Sequence, residues 1–433
     1  MNPYSFKFLI ICSLVVVRSV PLILEDSYEI TNLFPVAIYP QESFEISLKV
    51  KTTANNLLHL PLFNVHGDLV QTKRFQLPEP EKSDTGHSYF KIKYKAPELP
   101  SGIYSFDRHS FFIIKSNTAL PLALIYPQNT IQAYNNYGGK SFYGYNSTSK
   151  QATPAVSFER PVPFFDEFLS LEFFKWLDLN YHGRIAYFVD RDLDSFQNIE
   201  KSELLIIPGH SEYWTRKARL NFDRFIEERG HAAVLSGNTC WWQVRYKEDS
   251  LICYQDASAD PEGTLALKSV LWSDKSLNYS ILGSFGQDFT RGGYGRQKDA
   301  GWDGYRICLN NDYLFKGTKL SKGDTLSLPT TEYDGTLIRG FSDGFPLLDK
   351  FALGFYKTAL IGYDLGFRDH QTMGTWIAFQ KSKTSGTVFH VGSTNWCDKA
   401  SFSDSNRIPV LTRNMLNVLE NDKKIAAFWE TIQ

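Results

Sequence analysis

The sequence predicts an α/β fold, a doubly wound parallel sheet with an inserted β subdomain, preceded by a small β-sandwich of immunoglobulin-like type. Runs such as Leu204-Leu205-Ile206-Ile207 carry apolar residues at successive positions, so both faces of the strand are covered. From Ala119 onward helical patterns lie between such runs, and that alternation means a doubly wound sheet. Before Ala119 the pattern is purely β, with period-two alternation and turn clusters.

The chain opens with Lys7 followed by the apolar run 8–17, the n- and h-regions of a secretory signal over residues 1–20. The run is short for a membrane span, and Arg18 and Pro21 spoil a clean cleavage site, so an uncleaved N-terminal anchor is the alternative. Export to the periplasm or the extracellular space is expected. Residues 24–117 form the sandwich: 45–51 and 89–94 alternate apolar and polar, and a last strand starts at Gly102. Residues 118–433 form the α/β domain, with core strands at 122–126, 185–189, 204–207, 232–235 and 387–391. Helices are expected at 168–177, 215–230 and 409–419. The stretch from about 282 to 351, rich in Gly, Asp and turn pairs, is the inserted subdomain.

A length of 433 residues fits two domains, and a net charge of −1 without a basic block excludes a nucleic-acid partner. Once Cys12 leaves with the signal, Cys240, Cys253, Cys308 and Cys397 remain, an even number that permits disulfides without specifying any. No segment beyond the N-terminus is built to span a bilayer, and homo-oligomerisation is left open.

Polar clusters follow four of the five core strands. They are 127–139, the turn holding His210, Ser211 and Glu212, Ser236-Gly237-Asn238-Thr239, and Gly392-Ser393-Thr394-Asn395. In a parallel sheet these loops share one edge, so they converge on one crevice. The words NTIQAYNNYGG, PGHSEYW, LSGNTCWWQVR, TEYDG and LPSGIY, in their order along the chain, closely resemble the large, catalytic subunit of N,N-dimethylformamidase and its relatives. The resemblance implies a glutamine-amidotransferase-like α/β domain and a mononuclear Fe(III) held by two tyrosinates and a glutamate. Carried over by motif, those ligands are Tyr134 of IQAYN, Glu212 of GHSEYW and Tyr104 of SGIY. It also implies His210, Asn238 and Glu332 as polar residues around the metal, and hydrolysis of a small amide by a metal-bound hydroxide. Hard anionic oxygens suit a trivalent cation, although oxygen donors alone would also suit Mn, Mg or Ca. The name-giving enzyme has a long additional N-terminal region and a separate small subunit, neither of which is seen here. With the export signal, this makes dimethylformamide itself a poor expectation as substrate.

Two other readings stand beside this one. Gly209-His210-Ser211-Glu212-Tyr213 could be a nucleophile elbow with Ser211 at its tip, but that pattern wants a second glycine where Tyr213 stands. A catalytically silent secreted binding protein of the same fold is the other. Tyr137, Tyr143 and Tyr145 are read as packing or surface aromatics, and Arg160 and Arg245 as members of structural ion pairs.

Overall fold

The computed structural model describes residues 28–51, 57–84, 86–107, 109–295 and 301–432; the export signal expected over 1–20 lies outside them. Near the N-terminus two sheets face each other over one core. One runs in the order Tyr28–Phe34, Ser43–Lys51, His87–Lys95, Lys82–Asp84. The other runs Ala37–Ile38, Phe111–Ile114, Gly102–Ser105, Leu57–Asn64, Leu69–Gln76. Alternation along Ser43–Lys51 buries Phe44, Ile46, Leu48 and Val50 against Leu58, Leu60, Leu62 and Phe112. The same alternation on Gly102–Ser105 turns Tyr104 into this core and Ile103 into the core of the larger domain.

All five anticipated core strands form and pair in parallel, in the order Ile185–Val189, Leu122–Tyr126, Leu204–His210, His231–Gly237, Thr387–His390. Numbered along the chain this order is 2-1-3-4-5. Alternate side chains enter separate cores. Leu122, Leu124, Leu204 and Ile206 pack with the helices Leu171–Tyr181 and Ile408–Leu419, while Ala123, Ile125, Leu205 and Ile207 pack with Arg216–Glu227. Helix Arg216–Glu227 starts at Thr215, whose hydroxyl accepts from the N–H of Ala218.

The stretch 282–351 departs from expectation. Beyond Thr387–His390 the sheet continues through Gln371–Gln380, Lys357–Phe367, Asp288–Tyr294 and Glu332–Gly335, so it is a mixed, eleven-stranded sheet rather than a parallel sheet with a separate insert. Turn pairs in a sequence mark hairpins but not the edge they join. The open edge of Thr387–His390 offers unpaired backbone groups, and these antiparallel strands satisfy them. The hairpin Ile338–Ser342/Phe345–Leu348 makes a sheet of its own. A short helix, Gln128–Tyr134, was hidden by its polar composition; its second residue, Asn129, donates its N–H to Asp190 Oδ2 at 2.7 Å. Among the described residues no helix is long and apolar enough to cross a membrane, and Cys240, Cys253, Cys308 and Cys397 are free thiols.

Candidate functional site

The strand Leu204–His210 turns at Gly209, whose φ of +72° favours glycine and whose missing side chain admits Leu169, with Cβ only 3.2 Å from where one would sit. The chain then presents His210 and Glu212 at the carboxyl edge of the sheet. Glu212 is held by its backbone: its N–H donates to Thr130 Oγ1 at 2.9 Å, and its carbonyl accepts from the N–H groups of Trp241 and Trp242 at 2.8 and 3.0 Å.

Two phenols converge on its carboxylate. Tyr134, at the end of helix Gln128–Tyr134, donates to Oε2 at 2.9 Å, and Tyr143 donates to Oε1 at 2.9 Å. A third phenol, Tyr213, donates to Tyr143 Oη at 2.6 Å. On the other side His210 Nε2 lies 3.3 Å from Glu212 Oε2 and 3.4 Å from Glu332 Oε2, yet it is buried without a hydrogen-bond partner among the described residues. Asn238 donates from Nδ2 to Glu332 Oε2 at 3.1 Å, while its Oδ1 is buried and unpartnered. Asn238 has φ of +48°, a conformation Asn tolerates better than most residues and one that recurs at functional sites.

The electrostatics lack a cation. Burial pushes Glu212 up to about 8, with the Glu332 charge adding to it and hydrogen bonds from Tyr134, Tyr143 and Trp242 opposing. Burial pushes Glu332 up to about 7, opposed by Asn238 and reinforced by Asp334 and Glu167. The phenols of Tyr134 and Tyr143 are also driven up, mainly by burial and then by Glu212. Burial drives His210 down to about 3; with the adjacent carboxylates drawn toward their neutral forms, the ring has no charge to pair with. Every oxygen acid here disfavours its anion, the state expected of a cluster of oxygen donors built around a positive charge. Among the described residues no cluster of three His, Cys, Asp or Glu is arranged to hold a metal, so phenols must complete any donor set. Two phenols and one carboxylate within hydrogen-bond reach fit a hard trivalent ion.

The structure brings Tyr134, His210, Glu212, Asn238 and Glu332 together, but not Tyr104. Tyr104 sits in the N-terminal core beside Phe112 and donates to the carbonyl of Pro100 at 2.9 Å. The reason is the period of two: the residue that faces the larger domain from this strand is Ile103. The second phenol on Glu212 is Tyr143, which the sequence left as packing. Its one signal was position, nine residues after Tyr134 and just past the 127–139 cluster. Arg245 does pair with Asp260, at 2.7 Å. Among the described residues Arg160 makes no such pair. Its guanidinium donates to the carbonyls of Gln132 at 2.8 Å, Lys140 at 2.6 Å and Ser157 at 3.3 Å, tying the helix of Tyr134 to the segment leading to Tyr143. Ser211 is buried and its hydroxyl accepts from Trp214 Nε1 at 3.1 Å, outside the lining of the cavity above the site. Beneath the site, Asp334 Oδ2 lies 3.2 Å from His390 Nε2 and accepts from the N–H of Thr239 at 3.1 Å, a fully buried support that the sequence did not single out.

The family model described as "N,N-dimethylformamidase beta subunit-like, C-terminal" matches residues 84–407, well over half of the chain. No curated protein matches. Among solved structures, the chain is similar to a protein described as thua-like from Bacteroides uniformis ATCC 8492. The two share 12% identity with a TM-score of 0.33, over 70% of this chain and 94% of that one, a likeness too slight to argue from.

Proposed function

The chain belongs to the N,N-dimethylformamidase beta subunit-like, C-terminal family, and from that membership we propose that it is an iron-dependent amide hydrolase of amidotransferase-like architecture. The observation that carries the reading is the convergence of Tyr134 and Tyr143 on the two oxygens of Glu212, with the unpartnered His210 Nε2 beside them. Tyr134, Tyr143 and Glu212 would hold the metal. A bound ferric ion supplies Lewis acidity at the amide carbonyl and at water.

The chain's own residues do the rest. His210, kept neutral by burial, can take a proton at Nε2 and pass it toward the departing amine. Glu332, pushed near neutrality, can exchange a proton with it across 3.4 Å, which matches an acid–base group to working pH. Asn238, buried behind the cavity, holds the Glu332 carboxyl in place through its Nδ2 at 3.1 Å, and its second Nδ2 hydrogen can steady charge developing on the carbonyl oxygen. Water adds to the carbonyl carbon, the C–N bond breaks and the amine leaves protonated.

The test is metal content together with turnover. Protein expressed in iron-replete medium should carry about one iron per chain, absorb visible light through tyrosinate-to-iron charge transfer, and release amine from a simple amide. Colourless, iron-free protein that folds would overturn the metal assignment and favour the silent binding reading.

A further inference from the structure

The cavity above the site measures about 790 Å³, a volume typical of pockets for drug-sized ligands and far beyond what a small formamide fills. Its floor holds Tyr134, Glu332 and the buried, unpartnered Nε2 of His210. Three carboxylates line it, those of Asp166, Glu167 and Glu332, and among the described lining residues there is no Lys or Arg. The charge is unevenly committed. One oxygen of Asp166 already accepts from the N–H groups of Phe168 and Leu169 at 2.8 Å each, while Glu167 stands exposed at the mouth. Two aromatic rings share that mouth, Tyr145 at 77% exposure and Tyr294 at 40%. Even with a trivalent metal balanced by two phenolates and Glu212, and with burial drawing Asp166 up to about 6 and Glu332 up to about 7, the exposed carboxylate of Glu167 leaves the described lining anionic at the mouth. Such a cavity repels anions and draws in cations, and exposed phenol faces add attraction for an ammonium group.

We propose that the substrate is an amide with a cationic arm: the scissile amide lies on the floor, and an ammonium group several bonds away sits between Glu167 and the rings of Tyr145 and Tyr294. This rests on the amide-hydrolase reading above. The probes are monoacetyl-diaminobutane, which is cationic, its neutral counterpart N-butylacetamide, and the anionic N-acetyl-γ-aminobutyrate. Binding is read by calorimetry on the iron-loaded full chain carrying His210→Ala, and turnover by amine release with the wild type. The cationic probe should bind about tenfold more tightly than the neutral one, the combined effect of one exposed carboxylate and two ring faces, and the anionic probe more weakly than either. Adding Glu167→Gln should reduce the cationic-to-neutral ratio to roughly threefold. Equal binding of the cationic and neutral probes, or a ratio that Glu167→Gln leaves unchanged, overturns the cationic arm. Turnover of N-butylacetamide without any cation preference overturns the arm alone. Cation-selective binding without turnover of any probe overturns the hydrolase reading and leaves the cation site standing.

Discussion

At the scale of single residues, the site separates groups that would hold a metal from groups that would move protons. Glu212 receives both phenols, so Glu212→Ala should lose iron and activity together. Tyr143→Phe should weaken and shift the visible band, leaving Tyr134 as the one tyrosinate, and reduce iron content. Tyr104→Phe should change neither, because that hydroxyl is spent on Pro100 in the N-terminal core. Absorption spectra and metal analysis of the two variants decide between the ligand expected from sequence and the one the fold places there. His210→Ala should keep its iron and lose about 10²–10⁴-fold in turnover, the usual share of an acid–base group. Ser211→Ala, which removes only an acceptor for Trp214, should stay active; an inactive, iron-replete Ser211→Ala protein would favour the nucleophile elbow instead.

At the scale of elements, the two phenols come from one strand-end segment that Arg160 holds closed. Its planar fork reaches carbonyls on either side of Tyr134, which Lys cannot reproduce with a single ammonium. Arg160→Ala should therefore cost about 2 kcal/mol of stability and lower iron retention, with Arg160→Lys a poor rescue. Thermal melts followed by metal analysis test this; full iron retention in Arg160→Ala would remove the clamp from the account. The strand His231–Gly237 ends under similar constraint. A Cβ on Gly237 would lie 2.4 Å from the N of Thr394 and 2.8 Å from the carbonyl oxygen of Glu332. Gly237→Ala must displace the segment that carries Glu332, and turnover should fall more than iron content does.

At the scale of the whole molecule, several buried carboxylates titrate in the same direction. Burial raises Asp190 from 3.8 to about 8, against the backbone hydrogen bond it accepts from Asn129. Between those values the folded chain holds a proton that the unfolded chain has released, so raising the pH favours unfolding. In metal-free protein Glu212 and Glu332 add to the same slope. Melting temperature should accordingly fall from about pH 4 to about pH 8 and then level off. Asp190→Asn keeps an acceptor for Asn129 without a charge to bury, so its profile should be shallower. A wild-type melting temperature that climbs over this range would contradict the assignment.

The sequence by itself determined the five core strands, because unbroken apolar runs have only one way to be covered on both faces. It also determined the edge where the chemistry gathers, because parallel strands end together; Tyr134, His210, Glu212 and Asn238 all lie there, while Glu332 reaches it from the antiparallel strand Glu332–Gly335. Tertiary structure alone decided what depends on which way a side chain turns and which edge a strand joins. Tyr104 and Tyr143 both lie in aromatic, turn-flanked words; strand phase sends Tyr104 into the N-terminal core, and the loop after helix Gln128–Tyr134 brings Tyr143 to Glu212. The 282–351 strands read as a unit of their own until the open edge of Thr387–His390 takes them into the main sheet through Gln371–Gln380. Local pattern reports the period of burial, whereas partner choice is settled by contacts between segments far apart in the chain.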